Sequence, residues 1–256
     1  MPIAKLAASL LVLLACVLGA APARAETVNC TPITTLPAVI TVQGVYCFTG
    51  DLATAMTTGN AIDIQTNNVV LDLNSFKLGG LSAGPGTQAT GIFASNRQNL
   101  TIKNGTIRGF LRGIRLFDSG ASQGHIVEDI RADQNTVIGI QVEGAGTIVR
   151  NNQVVATGGT TVLGANANAF GIAVSFAGGP QVLNNAVINT VAQGTGIAWG
   201  IYLNIVIGGL VVNNRITGAD RGIEFANGST GKYRDTLTFD VTTPFTGGTA
   251  VGTTND

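Results

Sequence analysis

The chain has 256 residues, of which only 11% are charged, and its formal net charge at pH 7 is zero. An average soluble protein has about 25% charged residues, so Asn, Thr, Ser, Gln and the 35 glycines must cover much of this surface. The balanced charge provides no basic face, which argues against nucleic acid and anionic membranes as partners.

The N-terminus has the pattern of an export signal. Lys5 supplies the positive charge, the apolar run "LAASLLVLLACVLGA" follows, and an A-x-A cleavage site ends at Ala25. We therefore predict a signal peptide over residues 1–25 and a secreted or periplasmic mature protein. An alternative is that "LLAC" is a lipobox, which would leave the protein lipid-anchored through Cys16. No other segment is long and apolar enough to predict a membrane span.

Two cysteines, Cys30 and Cys47, follow the predicted signal peptide. A pair of cysteines in an exported chain most often forms a disulfide, which would contribute about 3 kcal/mol of stability in the chain-entropy model. A metal site made by these cysteines is not indicated, because the chain has one histidine and no further ligands at a suitable spacing.

The central part of the chain repeats. Gly-Ile recurs at intervals of 22 to 32 residues, after a degenerate Ala-Ile copy at Ala61, and its positions are Gly91, Gly113, Gly139, Gly171, Gly200 and Gly222. Each copy continues with alternating side chains, which predicts a β-strand. A second apolar strand follows and ends in a pair such as Asn-Asn. Because Asn and Gly tolerate left-handed backbone angles, the pair predicts one tight bend in every copy of a solenoid. The asparagines of this bend are expected to hydrogen-bond from rung to rung as a structural ladder, and they are Asn151, Asn152, Asn184, Asn185, Asn213 and Asn214.

The elements "GI-x-[VLF]" and "[IV]-x-NN-x-[IV]" resemble those of the right-handed parallel β-helix repeat family, the superfamily of pectate lyases, alginate-active lyases and epimerases, and phage tailspikes. The resemblance covers residues 58–240 and implies an all-β, single-stranded right-handed parallel β-helix of about seven rungs, a rung being one circuit of the chain. Because an open end exposes unpaired strand edges, we expect an N-terminal cap over residues 26–57 and a C-terminal cap or tail over residues 241–256. The fold hosts several chemistries and does not assign a function by itself.

The Gly-Ile strands predict two columns of outward side chains, with about 4.8 Å between rungs. With the Ile of each copy inward, the first column is Asp63, Phe93, Arg115, Gln141, Ala173, Tyr202 and Glu224. The second column lies two residues further on and is Gln65, Ser95, Phe117, Glu143, Ser175, Asn204 and Ala226. Arg115 and Glu143 are thus expected one rung apart on the same face.

Charge is distributed unevenly along the repeat. Residues 97–150 hold 12 charged residues, whereas residues 151–214 hold none. Acid-base or charged-ligand chemistry is therefore expected in the early rungs. The alternative is that these charges are solvated pairs that keep neighbouring rungs soluble and in register.

We predict that the outward face engages a polysaccharide. Aromatic rings would stack on sugars, polar side chains would bond hydroxyls, and cations would bind uronate carboxylates. The predicted substrate-binding residues are Phe93, Phe117, Gln141, Glu143 and Tyr202.

A lyase version of this hypothesis assigns catalytic roles to the same region. Arg115 would be the base that takes the proton beside a carboxylate, and Lys103, Arg112 or calcium would neutralise that carboxylate. Calcium would be held by Glu128, Asp129 or Asp133, and no other cofactor is expected.

Hydrolysis of the polygalacturonase type is disfavoured. The resemblance would require aspartates clustered on successive rungs and a His-Gly element, whereas here Gly124 precedes His125. His125 is expected at the surface or in a turn.

Two classes of function therefore remain. The clustered charges favour an exported protein that engages polysaccharide, with lyase-type activity on a uronate polymer as one version. The charge-free residues 151–214 favour a non-enzymatic, structural or adhesin-like envelope protein. The sequence leaves the oligomeric state open.

Overall fold

The structure is a computed structural model that describes residues 29–253 and residue 255. The predicted signal peptide and Cys16 lie outside the described residues. The chain winds into a right-handed, all-β parallel solenoid of about eight rungs, close to the seven predicted. Within the described residues, no helix has the length and apolar character needed to cross a membrane.

The described residues form 23 strands and one short 3-10 turn, Leu81–Ala83. In chain order, the strands are β1 (Thr31–Ile33), β2 (Ala38–Ile40), β3 (Gly44–Phe48), β4 (Leu52–Ala53), β5 (Asn60–Ile64), β6 (Val69–Asp72), β7 (Lys77–Gly79), β8 (Thr90–Ser95), β9 (Leu100–Arg108), β10 (Arg112–Phe117), β11 (Ile126–Asp133), β12 (Ile138–Glu143), β13 (Ile148–Arg150), β14 (Gln153–Gly158), β15 (Ala169–Gly178), β16 (Gln181–Leu183), β17 (Ala186–Val191), β18 (Ala198–Ile207), β19 (Gly209–Val212), β20 (Arg215–Ala226), β21 (Gly231–Arg234), β22 (Leu237–Thr246) and β23 (Thr249–Ala250).

These strands stack, always in parallel, into three sheets along the solenoid. The Gly-Ile sheet contains β2, β5, β8, β10, β12, β15, β18 and the C-terminal parts of β20 and β22. The second sheet contains β1, β3, β6, β13, β16, β19, β21, β23 and the first halves of β9 and β11. The third sheet contains β4, β7, β14, β17 and the remaining parts of β9, β11, β20 and β22.

The recurring Gly-Ile pair is explained by close approach inside the solenoid. The Ile of each copy is buried, and a Cβ on Gly139 would lie 2.7 Å from the carbonyl oxygen of Gly171 and 2.5 Å from a Val154 methyl group. Glycine is therefore required where the strand passes this close to the next rung and to the opposite wall. Both residues of the pair face inward, so the strand bends there.

The two terminal segments join the same stack. Strand β2 pairs with β5 and β3 pairs with β6, while at the other end β22 pairs with β20 and β23 with β21. The predicted disulfide is confirmed, because Cys30 is bonded to Cys47 with a Cα–Cα distance of 5.7 Å. It ties the chain ahead of β1 to β3 at the N-terminal end of the described stack.

Two long loops form an arch over the bend between the third sheet and the Gly-Ile sheet. Residues 80–89 cross the short connections of the next two rungs and meet residues 159–168, where the Thr161 N–H donates to the Pro85 carbonyl at 3.1 Å. A cavity of about 220 Å³ lies beneath, lined among others by Leu81, Gln134 and Thr136. The arch thus connects rungs that are not neighbours in the stack.

The predicted asparagine ladder is confirmed at one bend. Asn152 donates from Nδ2 to Asn185 Oδ1 at 3.0 Å, and Asn185 donates to Asn214 Oδ1 at 3.0 Å, all three being buried. An outer row runs in the opposite direction, with Asn184 donating to Asn151 and Asn213 to Asn184. These amides satisfy backbone groups that the bend would otherwise leave without a partner.

Replacing Asn185 by alanine should destabilise the protein strongly. The substitution leaves the Val149 carbonyl and the Asn152 backbone N–H, both bonded by the Asn185 side chain, without a partner. We expect a loss of about 2 to 5 kcal/mol in the free energy of unfolding, measured by denaturant titration. The control is Asn184→Gly, which keeps the left-handed bend and removes only exposed contacts, the hydrogen bonds with Asn151 and Asn213. Similar losses in both variants would contradict the buried ladder.

The second sheet carries a ladder of opposite charges. One outward column runs through Asp72, Lys103, Glu128 and Arg150, which occupy successive rungs. Lys103 lies 3.4 Å from Asp72, and Arg150 lies 2.6 Å from Glu128. For these residues the alternative interpretation of the charges, as pairs between neighbouring rungs, is confirmed.

His125 is fully buried, so the expectation of a surface residue is wrong. Its Nδ1 accepts a hydrogen bond from the Leu100 backbone N–H at 3.3 Å, so the neutral ring carries its proton on Nε2 and donates to Ser122 Oγ at 3.0 Å. The imidazole cannot then accept a proton from Ser122, which argues against a nucleophilic serine. Burial lowers the pKa of His125 to about 4, although the Asp118 charge acts in the opposite direction.

Burial of His125 should make stability depend on pH. Since the unfolded chain binds a proton near pH 6.5 and the folded protein only near pH 4, stability should fall as pH decreases through this window, by up to about 3 kcal/mol. Denaturant titrations of the wild type and His125→Gln at several pH values should show this loss in the wild type alone. Glu143 contributes with the opposite sign in both proteins, so their difference isolates His125. Parallel pH profiles would contradict the assignment.

Candidate functional site

The Gly-Ile sheet presents the two predicted columns of side chains to the outside. The strand register places Arg115 between Phe93 and Gln141, and Ala173 between Gln141 and Tyr202. The second column is also in the predicted register, with Phe117 beside Ser95 and Glu143 beside Ser175. Both columns could be predicted because the Gly-Ile pair marks the same position in every rung.

A third column faces outward that simple alternation did not predict. Because Gly and Ile both face the interior, the residue before each glycine points out, and these residues are Thr90, Arg112, Ile138, Phe170, Trp199 and Arg221. The signal in the sequence was the arginine or aromatic residue that precedes Gly-Ile in four copies.

An arginine cluster lies where these columns meet in the early rungs. The guanidinium of Arg115 lies 4.7 Å from the centre of the Phe117 ring and 5.8 Å from that of Phe93. Arg112 lies in the adjacent column on the same strand. Burial and then the Arg115 charge lower the pKa of Arg112. Among the described residues, neither arginine has an ion-pair partner, and the Nε of each is buried without a hydrogen bond. The Oε1 of Gln141 is likewise unpaired.

Glu143 is only 2% exposed, so the expectation that it projects from this face is wrong. Its carboxylate accepts hydrogen bonds from Gln141 Nε2 at 2.7 Å and from the Asp118 backbone N–H at 2.9 Å. Burial raises the pKa of Glu143, although both hydrogen bonds and the Arg115 charge act against this. The buried position has a cause in the loop that begins at Asp118.

The loop over residues 118–122 is held by its own carboxylate. Asp118 Oδ1 accepts hydrogen bonds from the backbone N–H groups of Gly120, Ala121 and Ser122 at 2.7 to 2.9 Å. Burial raises the pKa of Asp118, but these three donors outweigh it and lower the pKa below its usual value. The loop thus covers Glu143 and forms one wall of the arginine cluster.

An aromatic cluster lies further along the same face. The rings of Phe170 and Trp199 stack with centroids 4.7 Å apart, and Tyr202 tilts against both at 5.3 and 5.0 Å. Arg221 covers the other face of Trp199, and both Arg221 and the indole N–H of Trp199 donate to Glu224. Trp199 is 7% exposed, so the half-buried Tyr202 ring is the part that a ligand could reach.

The structure separates some of the residues that the sequence grouped together. Tyr202 lies three rungs from Arg115, or about 14 Å at the usual strand spacing. Lys103 lies on the second sheet, paired with Asp72, so it cannot assist Arg115. Arg112 does lie beside Arg115.

The residues suggested as calcium ligands do not form a site in the described part of the chain. Glu128 is paired with Arg150, Asp133 lies 3.5 Å from Arg108 and 3.6 Å from Arg131, and Asp129 occupies a left-handed bend. No group of three or more His, Cys, Asp or Glu side chains is placed to hold a metal ion there. These residues do not fit calcium, and no step through it is derived.

Comparison with solved structures shows similarity of fold. Tailspike protein 2 from Escherichia coli O157:H7 bacteriophage CAB120 has a TM-score of 0.64 at 17% identity, over 86% of this chain and 34% of its own. Dettilon tailspike protein has a TM-score of 0.53 at 16% identity, over 82% and 47% of the respective chains. Pectate lyase Pel9A has a TM-score of 0.53 at 12% identity, over 89% and 68%. The chain thus spans about a third of tailspike protein 2.

Comparison of sequences identifies the family. No curated protein sequence matches the chain. The family model described as right handed beta helix region matches residues 39–187, which is more than half of the chain. The repeat, the three parallel sheets and this match agree, and the chain belongs to the right-handed beta helix family.

Proposed function

We propose that this protein binds an acidic polysaccharide of the uronate type on its Gly-Ile sheet, with the arginine cluster as the centre of the site. The observation that carries the proposal is the pair of guanidinium groups, Arg112 and Arg115, that face outward without an ion-pair partner among the described residues. Five other described arginines lie within ion-pair distance of a carboxylate, namely Arg108, Arg131, Arg150, Arg221 and Arg234. Arg97 and Arg215 form no ion pair within the described residues. Arg112 and Arg115 differ from those two because their guanidinium groups lie close together.

Each residue of the cluster has a distinct role in this proposal. Arg112 and Arg115 bind a sugar carboxylate through charge-assisted hydrogen bonds. Phe93 and Phe117 hold the Arg115 guanidinium between them and offer apolar surface to a sugar ring. Gln141 lies half-buried beside Arg115 in the strand register, where its side chain borders the sugar. Glu143 is a positioning residue, because it is buried and fixes Gln141 and the 118–122 loop.

Tyr202 supplies a second contact along the same face. Its ring is held by Phe170 and Trp199, so stacking on a sugar would not require it to be immobilised first. Ala173 lies between Gln141 and Tyr202 in the register but is buried. Val162 and Phe170 pack against the apolar cluster that contains it. A chain of several sugars would therefore pass over this apolar cluster to touch both the arginine cluster and Tyr202.

Known proteins of the same fold support the choice of ligand class. The similar structures are named as tailspikes and a pectate lyase. Their low identity carries no residue roles to this chain, so the ligand rests on the arginine cluster.

A lyase reaction is the enzymatic version of the proposal. A base takes the proton from the carbon beside the carboxylate, the carbon–oxygen bond on the next carbon breaks, a carbon–carbon double bond forms, and the leaving oxygen takes up a proton. Burial and the Arg115 charge lower the pKa of Arg112, which favours Arg112 as the base and Arg115 as the carboxylate ligand. This exchanges the two roles expected from the sequence.

The proposal also includes the compartment in which the protein is located. The Cys30–Cys47 disulfide is of a kind that persists in oxidising compartments. We therefore place the protein outside the cytoplasm, secreted or periplasmic, with lipid anchoring through Cys16 as the alternative.

A structural or adhesin-like role is the second candidate. It is favoured by residues 151–214, which contain no charged side chain. A surface of that kind offers little for acid-base chemistry and suits contact between macromolecules.

The proposal is tested by binding to a panel of uronate and neutral polysaccharides. We expect the purified protein to bind a uronate polymer, and Arg112→Gln/Arg115→Gln to weaken this binding by about tenfold or more, since a hydrogen bond to a charged group contributes about 1.5 to 3 kcal/mol. Added salt should weaken the wild type more than the variant. An unsaturated product, detected by ultraviolet absorbance, would establish the lyase version.

The matched control is Lys103→Gln/Arg150→Gln, which likewise removes two positive charges but from the second sheet. It should leave binding unchanged. Equal losses in both variants would show non-specific attraction, and the absence of binding to every polymer would favour the structural or adhesin-like role.

A further inference from the structure

Two bulky residues occupy left-handed backbone at one bend of the solenoid. Between the Gly-Ile sheet and the second sheet, successive rungs place Gly144, Phe176, Ile205 and Asn227 at positive φ, with values of 50° for Phe176 and 56° for Ile205. Glycine and asparagine tolerate this conformation, whereas it is strained for aromatic and β-branched residues. Strain of this kind persists where another requirement opposes its loss.

The same residues begin an exposed apolar surface. Phe176 is 48% exposed and Ile205 is 46% exposed, and on the rung of Ile205 the chain continues with Ile207 at 63% and Leu210 at 43%. We call Ile205, Ile207, Leu210 and Val212 the apolar ridge. Asparagine at positions 176 and 205 would relieve the backbone strain and would be hydrated. In a monomer, Phe176 and Ile205 are therefore unfavourable both for their backbone conformation and for their exposed apolar surface.

We infer that the apolar ridge is an interface between two copies of this chain, related by a twofold axis that runs parallel to the strands over the rung of Phe176 and Leu183. Such an axis exchanges the rung before with the rung after and makes the two solenoids antiparallel. The ridge itself contributes no ionised group to the covered surface, because residues 151–214 hold no charge. The axis places Arg150 opposite Val212, and Arg150 keeps its ion pair with Glu128 there.

The strand register shows that the surface is complementary to itself about this axis. Ile207 lies on the rung after Gly178, and Ala145 on the rung before, so the protruding Ile207 of one copy meets the small Ala145 of the other. In the same way Leu210 meets Ile148 across Gln181. In an isologous interface the two copies present the same surface to each other, so a protruding side chain of one copy must face a small or apolar residue of the other.

The charges beyond the ridge are also complementary. Two rungs after Leu183 the same column reaches Arg234, and two rungs before it reaches Glu128. The twofold axis therefore places Arg234 of each copy opposite Glu128 of the other. Arg234 is 58% exposed and Glu128 is 18% exposed, so this pair adds to the ion pair that Glu128 already forms with Arg150.

A double variant separates the interface from the fold. Phe176→Asn/Ile205→Asn should raise the dissociation constant of the dimer about tenfold or more, measured by analytical ultracentrifugation of the purified protein. Because asparagine suits the left-handed bend, the melting temperature of the monomeric variant should be equal to or higher than that of the wild type at a concentration where the wild type is also monomeric. Val191→Asn, which removes another exposed apolar side chain from the third sheet, should leave the dimer intact.

A charge exchange tests the antiparallel arrangement. Arg234→Glu should weaken the dimer, and Arg234→Glu combined with Glu128→Arg should restore it. The proposal is overturned if the wild type is monomeric at every concentration, if it forms a trimer, or if Phe176→Asn/Ile205→Asn leaves its association unchanged. A monomer that instead uses the ridge to bind a different protein would overturn it as well.

Discussion

The parallel stacking of rungs is the constraint on which the rest of the structure depends. Strands in neighbouring rungs lie about 4.8 Å apart, so a residue at one position has the equivalent residue of the next rung as its closest neighbour. Glycine before six of the seven inward Ile residues permits this distance, because a Cβ at Gly139 would press on the backbone of the next rung, and only the first copy has alanine, Ala61, in this place. Every column of side chains, whether structural or exposed, follows from that approach.

Stacking makes the residues of each column close neighbours, so their charges must be compatible from one rung to the next. On the second sheet, the column from Asp72 to Arg150 alternates in sign and its members pair. On the Gly-Ile sheet, Arg112 and Arg115 are two cations close together, with the buried Glu143 as the nearest compensation. Among the described residues, this is where two guanidinium groups lie close together with no carboxylate at ion-pair distance from either, and the proposed anion site rests on that feature.

Much of the fold could be predicted because the repeat is periodic. The Gly-Ile strands, their two outward columns, the asparagine ladder and the disulfide follow from residues that recur or pair in the sequence. The burial of Glu143 and His125 could not be predicted, because the 118–122 loop that covers them is not part of the repeat. The outward column that contains Trp199 could not be predicted for a different reason. The alternation of inward and outward side chains fails where Gly and Ile both face the interior.

The arch formed by residues 80–89 and 159–168 has a consequence for how the solenoid unfolds. In an ideal repeat protein each unit interacts only with its neighbours, so opening can spread one unit at a time. The contact between Thr161 and Pro85 joins rungs that are separated by two others. The four rungs under the arch should therefore open together as one cooperative block, and they are the rungs that carry the arginine cluster. The rungs beyond residue 169 lack this tie and can fray individually from the C-terminal end.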